Sequence, residues 1–153
     1  MGRWPCITVR NLQRKISVNV TALEKFARYA LSRCLQLQKH KRTDLRKLNA
    51  VAVWLISDRR MSQLHLRFLG EGGPTDVITF HGGEIFISVE SARRNAREFG
   101  NSLTSEIKLY IVHGLLHLHG FDDQEPRDLR RMKNTQEKIL RCMRIRIGTV
   151  SQV

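Results

Sequence analysis

A chain of 153 residues suits one ordinary domain spanning 1–153, large enough to bury a core without a disulfide framework or a structural metal. Its hydrophobic content of 41% fits a globular protein, and no apolar run approaches the roughly 18 residues that a membrane-spanning helix needs. With 27 Lys and Arg against 14 Asp and Glu the formal charge is +13, a field that attracts polyanions, so nucleic acid is the expected partner.

The N-terminal residues carry no apolar targeting core and lead straight into a strand at 7–11. Between 21 and about 38, Leu23, Phe26, Ala27, Ala30, Leu31 and Cys34 recur at helical spacing, with Thr21 a suitable N-cap. A polar connection over 38–44 precedes residues 50–56, an unbroken apolar run expected as a central strand buried on both faces. Ser57 or Asp58 can cap a short helix through Met61, Leu64 and Phe68, and glycine-rich 70–74 then predicts a mobile loop. Residues 75–80 and 84–89 read as strands joined by a short hairpin connection at 81–83. A helix over 88–99 stops at Gly100, and Ser102 or Thr104 starts another that ends near Gly120. Pro126, Leu129, Met132, Ile139 and Leu140 mark a last helix followed by a frayed basic tail. This order predicts a mixed α/β fold around one small sheet.

Cys6, Cys34 and Cys142 are odd in number and far apart, as expected of reduced packing thiols in a cytoplasmic protein. The basic excess lies mainly in 10–47 and 127–146, where few aromatics interleave, so base stacking is not evident from the linear order.

H-G-L-L-H-L-H-G-F-D-D, residues 113–123, concentrates the candidate chemistry. His113 and His117 are four apart, so a helix projects both imidazoles from one face, as a tetrahedral metal site requires. His119 falls on the opposite side and is expected to face solvent or a neighbouring chain. Gly120 allows a sharp reversal that can return Asp122 or Asp123 to the histidines, and position 123 has the third-ligand spacing of H-E-x-x-H-x-x-G-x-x-H sites. The alternative is structural: His113 as a satisfied core histidine and the aspartates as caps of the next helix. Gly114 stands where zinc proteases carry their glutamate base, which disfavours peptide hydrolysis.

The same eleven residues closely resemble the H-G-x-L-H-L-x-G-Y-D-H signature of the YbeY family of zinc-dependent endoribonucleases. P-T-D-V-I-T-F at 74–80 is similar to that family's P-T-D-V-L-S-F, and G-E-I-F-I-S at 83–88 to its G-D-I-x-I-S. The resemblance implies one small α/β domain with a mixed sheet of four to five strands and about five helices. It further implies one zinc ion on His113, His117 and Asp123, and cleavage of single-stranded RNA. Small-subunit ribosomal RNA maturation and ribosome quality control are the implied roles. Thr75 and Asp76 would line the cleft, Asp76 orienting a water or a ligand imidazole, while Arg59, Arg127, Arg130 and Arg131 would hold the RNA backbone. Two positions depart from the family pattern: Asp123 replaces a histidine ligand, and Leu69 stands where the family segment N-x-x-Y-R has arginine. Arg67 and Arg59 are the nearest substitutes for that guanidinium, although Arg67, two positions away on a helix, would point elsewhere. A non-catalytic RNA-binding factor with a structural or vestigial metal site is the alternative these departures allow.

Overall fold

Alternating side chains on four strands decide the layering. Cys6–Asn11 (β1), Ala50–Ile56 (β2), Val77–Phe80 (β3) and Glu84–Ser88 (β4) form one sheet in the order β1-β2-β4-β3. β1, β2 and β4 are parallel and β3 is antiparallel to β4, so the sheet is mixed, with β1 and β3 at its edges. This computed structural model describes residues 3–38, 45–70 and 75–150, with side chains through 142. Among them no helix is long and apolar enough to cross a membrane.

Ile7, Val9, Val51, Val53, Leu55, Ile85 and Ile87 share one sheet face and are buried in the main core. Helices Val20–Leu35 (α1) and Leu103–Leu118 (α4) cover that face, with Val89–Phe99 (α3) and Pro126–Val150 (α5) packed against α4. The other face carries Trp54, Ile56, Ile78, Phe80 and Phe86 and, among the described helices, is packed by Asp58–Leu69 (α2), through Met61 and Leu64. β2 is therefore central but not buried on both sides as expected: Ala52 and Trp54 are half-buried and Ala50 is exposed, because one short helix cannot roof the second face.

Side-chain caps set the helix starts. Ser57, Ser88 and Ser102 accept the N–H of Arg60, Ser91 and Ser105, so of the paired candidates the structure selects Ser57 over Asp58 and Ser102 over Thr104. α1 differs: its cap is Asn19, whose Oδ1 accepts the Ala22 N–H at 3.0 Å, not Thr21. It also ends at Leu35, before the expected 38, and the Arg46 guanidinium satisfies the Leu35 and Leu37 carbonyls at 3.3 and 2.8 Å. Gly70 closes α2 in the left-handed region (φ 69°), whereas 71–74 of the expected mobile loop and 39–44 of the polar connection lie outside the described residues. In the β3–β4 hairpin Gly83 has φ 108°, and a Cβ there would lie 2.6 Å from the Ala50 carbonyl oxygen, so no other residue fits. α5 stays helical to Val150 where a frayed tail was expected, and 151–153 lie outside the described residues.

Only Cys34 is fully buried as the packing role requires, and burial pushes its thiol up to about 12. Cys6 begins an edge strand and is exposed, and Cys142 is half-buried, so the packing expectation fails for Cys6.

Candidate metal centre

α4 lies across the sheet because it is apolar on most of its circumference: Ile107, Ile111, Leu115 and Leu118 are buried in the main core. Gly114 brings its backbone down onto β4, and a Cβ there would meet three Ile85 side-chain atoms at 2.8–2.9 Å. Position 114 thus faces the sheet, which explains why glycine is required here and why a glutamate base has no place. The helix closes in a Schellman arrangement, with Gly120 (φ 92°) donating to the His117 carbonyl at 3.0 Å and Phe121 to that of Leu116 at 2.9 Å. Buried Phe121 locks the reversal, and the chain returns past the last turn.

That reversal separates the two aspartates. Asp122 Oδ1 accepts the N–H groups of Asp123 (2.7 Å) and Gln124 (3.2 Å), a local turn leading towards α5. Asp123 Oδ2 instead lies 3.5 Å from His117 Nε2 and 3.7 Å from His113 Nε2, and the two Nε2 atoms are 3.1 Å apart. The three candidate ligand atoms lie within 4.8 Å of one another. Donors held at about 2.0–2.2 Å by one tetrahedral ion are themselves roughly 3.3 Å apart, so this spacing fits a single ion such as zinc.

The far side of each imidazole determines what Nε2 offers. His113 Nδ1 donates to Gln136 Oε1 at 2.7 Å and His117 Nδ1 donates to the Phe121 carbonyl at 3.1 Å. With both Nδ1 protons so committed, two Nε2 lone pairs face each other, an arrangement that a shared cation makes favourable. Burial lowers the pKa of His113 below its ordinary value and the neighbouring imidazole of His117 adds to that. The Gln136 hydrogen bond and the charges of Asp123 and Asp76 oppose the shift but do not outweigh it. A neutral imidazole, the form that binds metal, is thereby favoured.

Gln136 was missed by sequence reasoning. It falls in line with Met132 and Ile139 on the buried stripe of α5, and a polar residue in such a stripe is the signal that could have found it. His119 overturns its expectation: it is fully buried, with Nε2 donating to the Leu37 carbonyl at 2.8 Å and Nδ1 3.4 Å from the Leu45 N–H. The far side of α4 faces the end of α1 and the short 3-10 turn Leu45–Lys47 rather than solvent.

The remaining expected site residues divide by location. Asp76 and half-buried Thr75 lead into β3, where Asp76 Oδ1 accepts the Val77 N–H at 2.9 Å, a local contact at the strand entry. β3 packs against α4, and the Asp76 charge acts to raise the pKa of both His113 and Tyr110. Arg67 is not brought to this cluster: it lines a groove between α2 and the opposite sheet face. Arg59 is exposed on α2, and Leu69 ends that helix, also exposed. Arg127, Arg130 and Arg131 are exposed on α5, on the side away from the Met132–Gln136–Ile139 stripe.

A family model described as Endoribonuclease YbeY matches residues 8–144. The chain belongs to the YbeY endoribonuclease family. YbeY relatives named Endoribonuclease YbeY include that of Frankia alni, 34% identical over 120 residues, covering 63% of this chain and 66% of that protein. The Beutenbergia cavernae relative is 32% identical over 142 residues, covering 82% of this chain and 89% of that one. Other relatives are longer: the chain spans 60% of the Frankia casuarinae protein and 34% of the Myxococcus xanthus one. The fold is similar to the solution structure of TM1509 from Thermotoga maritima, with a TM-score of 0.61 and 25% identity over 92% of this chain and 93% of that one.

Proposed function

We propose that this YbeY-family protein is a metal-dependent endoribonuclease that cuts single-stranded RNA, with ribosomal RNA of the small subunit as its substrate in maturation and quality control in the cytoplasm. The observation carrying this reading is the convergence of His113 Nε2, His117 Nε2 and Asp123 Oδ2 within 4.8 Å, with both Nδ1 atoms engaged behind them. These three side chains would hold one zinc ion. When bound, such an ion supplies Lewis acidity towards a phosphate oxygen and lowers the pKa of a bound water.

The chain's own residues do the rest. Gln136 and the Phe121 carbonyl keep both imidazoles in the tautomer that presents Nε2. Asp123 contributes a negative charge where the family signature has a neutral imidazole, which offsets more of the ion's charge and weakens its polarising power. Asp76, with Thr75 beside it, would line the cleft and orient a water or a ligand imidazole. Leu69 brings no charge to the phosphate, so transition-state stabilisation rests on fewer cations than the family pattern supplies. The +13 field and the exposed Arg59, Arg127, Arg130 and Arg131 attract and retain the RNA backbone.

Purified protein should cleave a single-stranded RNA substrate, losing that activity on chelation, regaining it with zinc, and losing it in His117→Ala. Cleavage indifferent to both treatments would overturn the mechanism. The Leu69 departure and the outward position of Arg67 favour a second reading, a non-catalytic RNA-binding factor, which predicts salt-sensitive binding without metal-dependent turnover.

A further inference from the structure

The sheet face opposite the metal-ligand cluster carries an aromatic row assembled from four separate elements. Trp54 of β2 stacks with Phe86 of β4 (centroids 6.4 Å apart, planes at 20°). Phe86 meets Phe80 of β3 edge-on at 5.8 Å, and Phe80 meets Phe68 of α2 at 5.3 Å. Beside this row, α2 and the sheet enclose a groove of about 250 Å³. Its helical wall presents Arg60, Gln63 and Arg67, spaced i, i+3, i+7 on one line, and its floor is Ile56 and Phe86 with Leu12 at the rim. Neither guanidinium has an acidic partner among the described residues, and Arg67 lies 5.5 Å over the Phe68 ring.

We infer that this groove is a subsite for one base of a single-stranded RNA, with Arg60 and Arg67 on the flanking phosphates. A flat apolar floor, an amide on the wall and a cation at each end complement a stacked base between two phosphates. The volume is below the roughly 300–1,000 Å³ of pockets that enclose a drug-sized molecule, so it suits a single ring system rather than a folded ligand. Glu84 is the one carboxylate on this face of the described strands, and it lies a row away, opposite Phe80. β3 is an edge strand with Ile78 and Phe80 on the groove side and Val77 in the main core under α4. The inference rests on the RNA reading above and assigns Arg67 to strand binding rather than to the reaction centre.

The test is anisotropy of a fluorescein-labelled 12-nucleotide oligouridylate with full-length protein carrying His117→Ala to prevent cleavage. Adding Arg60→Ala and Arg67→Ala together should weaken binding about tenfold and make the slope of log K against log salt shallower by about 1.4. Phe86→Leu, which keeps the core volume without an aromatic face, should weaken it about tenfold as well. Arg93→Ala, an exposed cation on α3, serves as control and should change neither quantity. In the parent, 4-thiouridine in the oligomer should crosslink to peptides containing residues 60–67 or 86, and uridine monophosphate or duplex RNA of the same length should compete poorly. Unchanged affinity and slope in the triple variant, crosslinks mapping only elsewhere, or equal competition by mononucleotide or duplex would overturn the subsite. If the groove binds RNA while the unsubstituted protein shows no metal-dependent cleavage, the nuclease reading fails and the subsite stands. Metal-dependent cleavage by the unsubstituted protein, with groove variants that bind RNA as tightly as the parent, removes the subsite and leaves the nuclease reading intact.

Discussion

Gln136 shows how one amide governs the chemistry of an imidazole on another helix. Its Oε1 holds the His113 Nδ1 proton, leaving Nε2 as the free donor atom. Gln136→Leu should weaken zinc binding by about 10–100-fold, as loss of a partner behind a metal ligand typically does, while Gln136→Glu retains the acceptor and most of the affinity. Competition against a chromophoric chelator reads both values, and equal affinity in the leucine variant would dismiss the orienting role. The three candidate ligands themselves were legible in the sequence because their convergence is local: two residues a helical turn apart, a glycine reversal and a carboxylate just beyond. Gln136 was not, since its contact spans 23 positions and depends on how α5 docks. His119 was misjudged for the same reason, because helical periodicity tells which side a residue takes but not what lies there.

Among elements, α4 is the one whose placement the site depends on. Gly114→Ala forces a methyl to within 2.8–2.9 Å of Cγ1, Cγ2 and Cδ1 of Ile85, so α4 must lift or Ile85 must leave its rotamer. Overpacking of this kind typically costs about 1–3 kcal/mol, and lifting α4 also displaces His113 and His117 from Asp123. Urea denaturation should show the loss, and zinc affinity should fall with it. Stability and affinity both at parental values would show that the helix–sheet contact has slack. Elements were largely readable because each strand and helix declares itself by period and cap: the four described strands and helices α1 to α4 stand where expected to within a few residues, while α5 runs on through the expected tail. The start of α1 differs because the capping oxygen belongs to Asn19, two positions before the expected Thr21. The aromatic row was invisible, because Trp54, Phe68, Phe80 and Phe86 meet only through sheet register and the docking of α2.

For the whole molecule, charge makes acid the natural denaturant. Protonating carboxylates leaves the cations unbalanced and raises self-repulsion from an already large +13. Asp58 adds a specific contribution where α2 meets α3: its carboxylate accepts from Ser88 Oγ (2.5 Å), Ser91 Oγ (2.7 Å) and Arg94 (2.7 Å). Burial alone would raise its pKa, but the hydrogen bonds from Arg94, Ser88 and Ser91 outweigh it and hold the group below its ordinary value of 3.8. A depressed folded-state pKa means this stabilisation is complete above the unfolded pKa of about 3.9 and is lost as pH falls through the folded value. Stability measured by urea between pH 7 and pH 3 should therefore fall more steeply for the parent than for Asp58→Asn, and parallel curves would remove Asp58 from the account. At this scale, too, His119 has a consequence for engineering. By gripping the Leu37 carbonyl and approaching the Leu45 amide, a single ring anchors the polypeptide on both sides of positions 38–44. A reporter spliced between these two anchor points would be moored at both ends by the same ring, so such cargo would leave α4 and its two inward imidazoles in place.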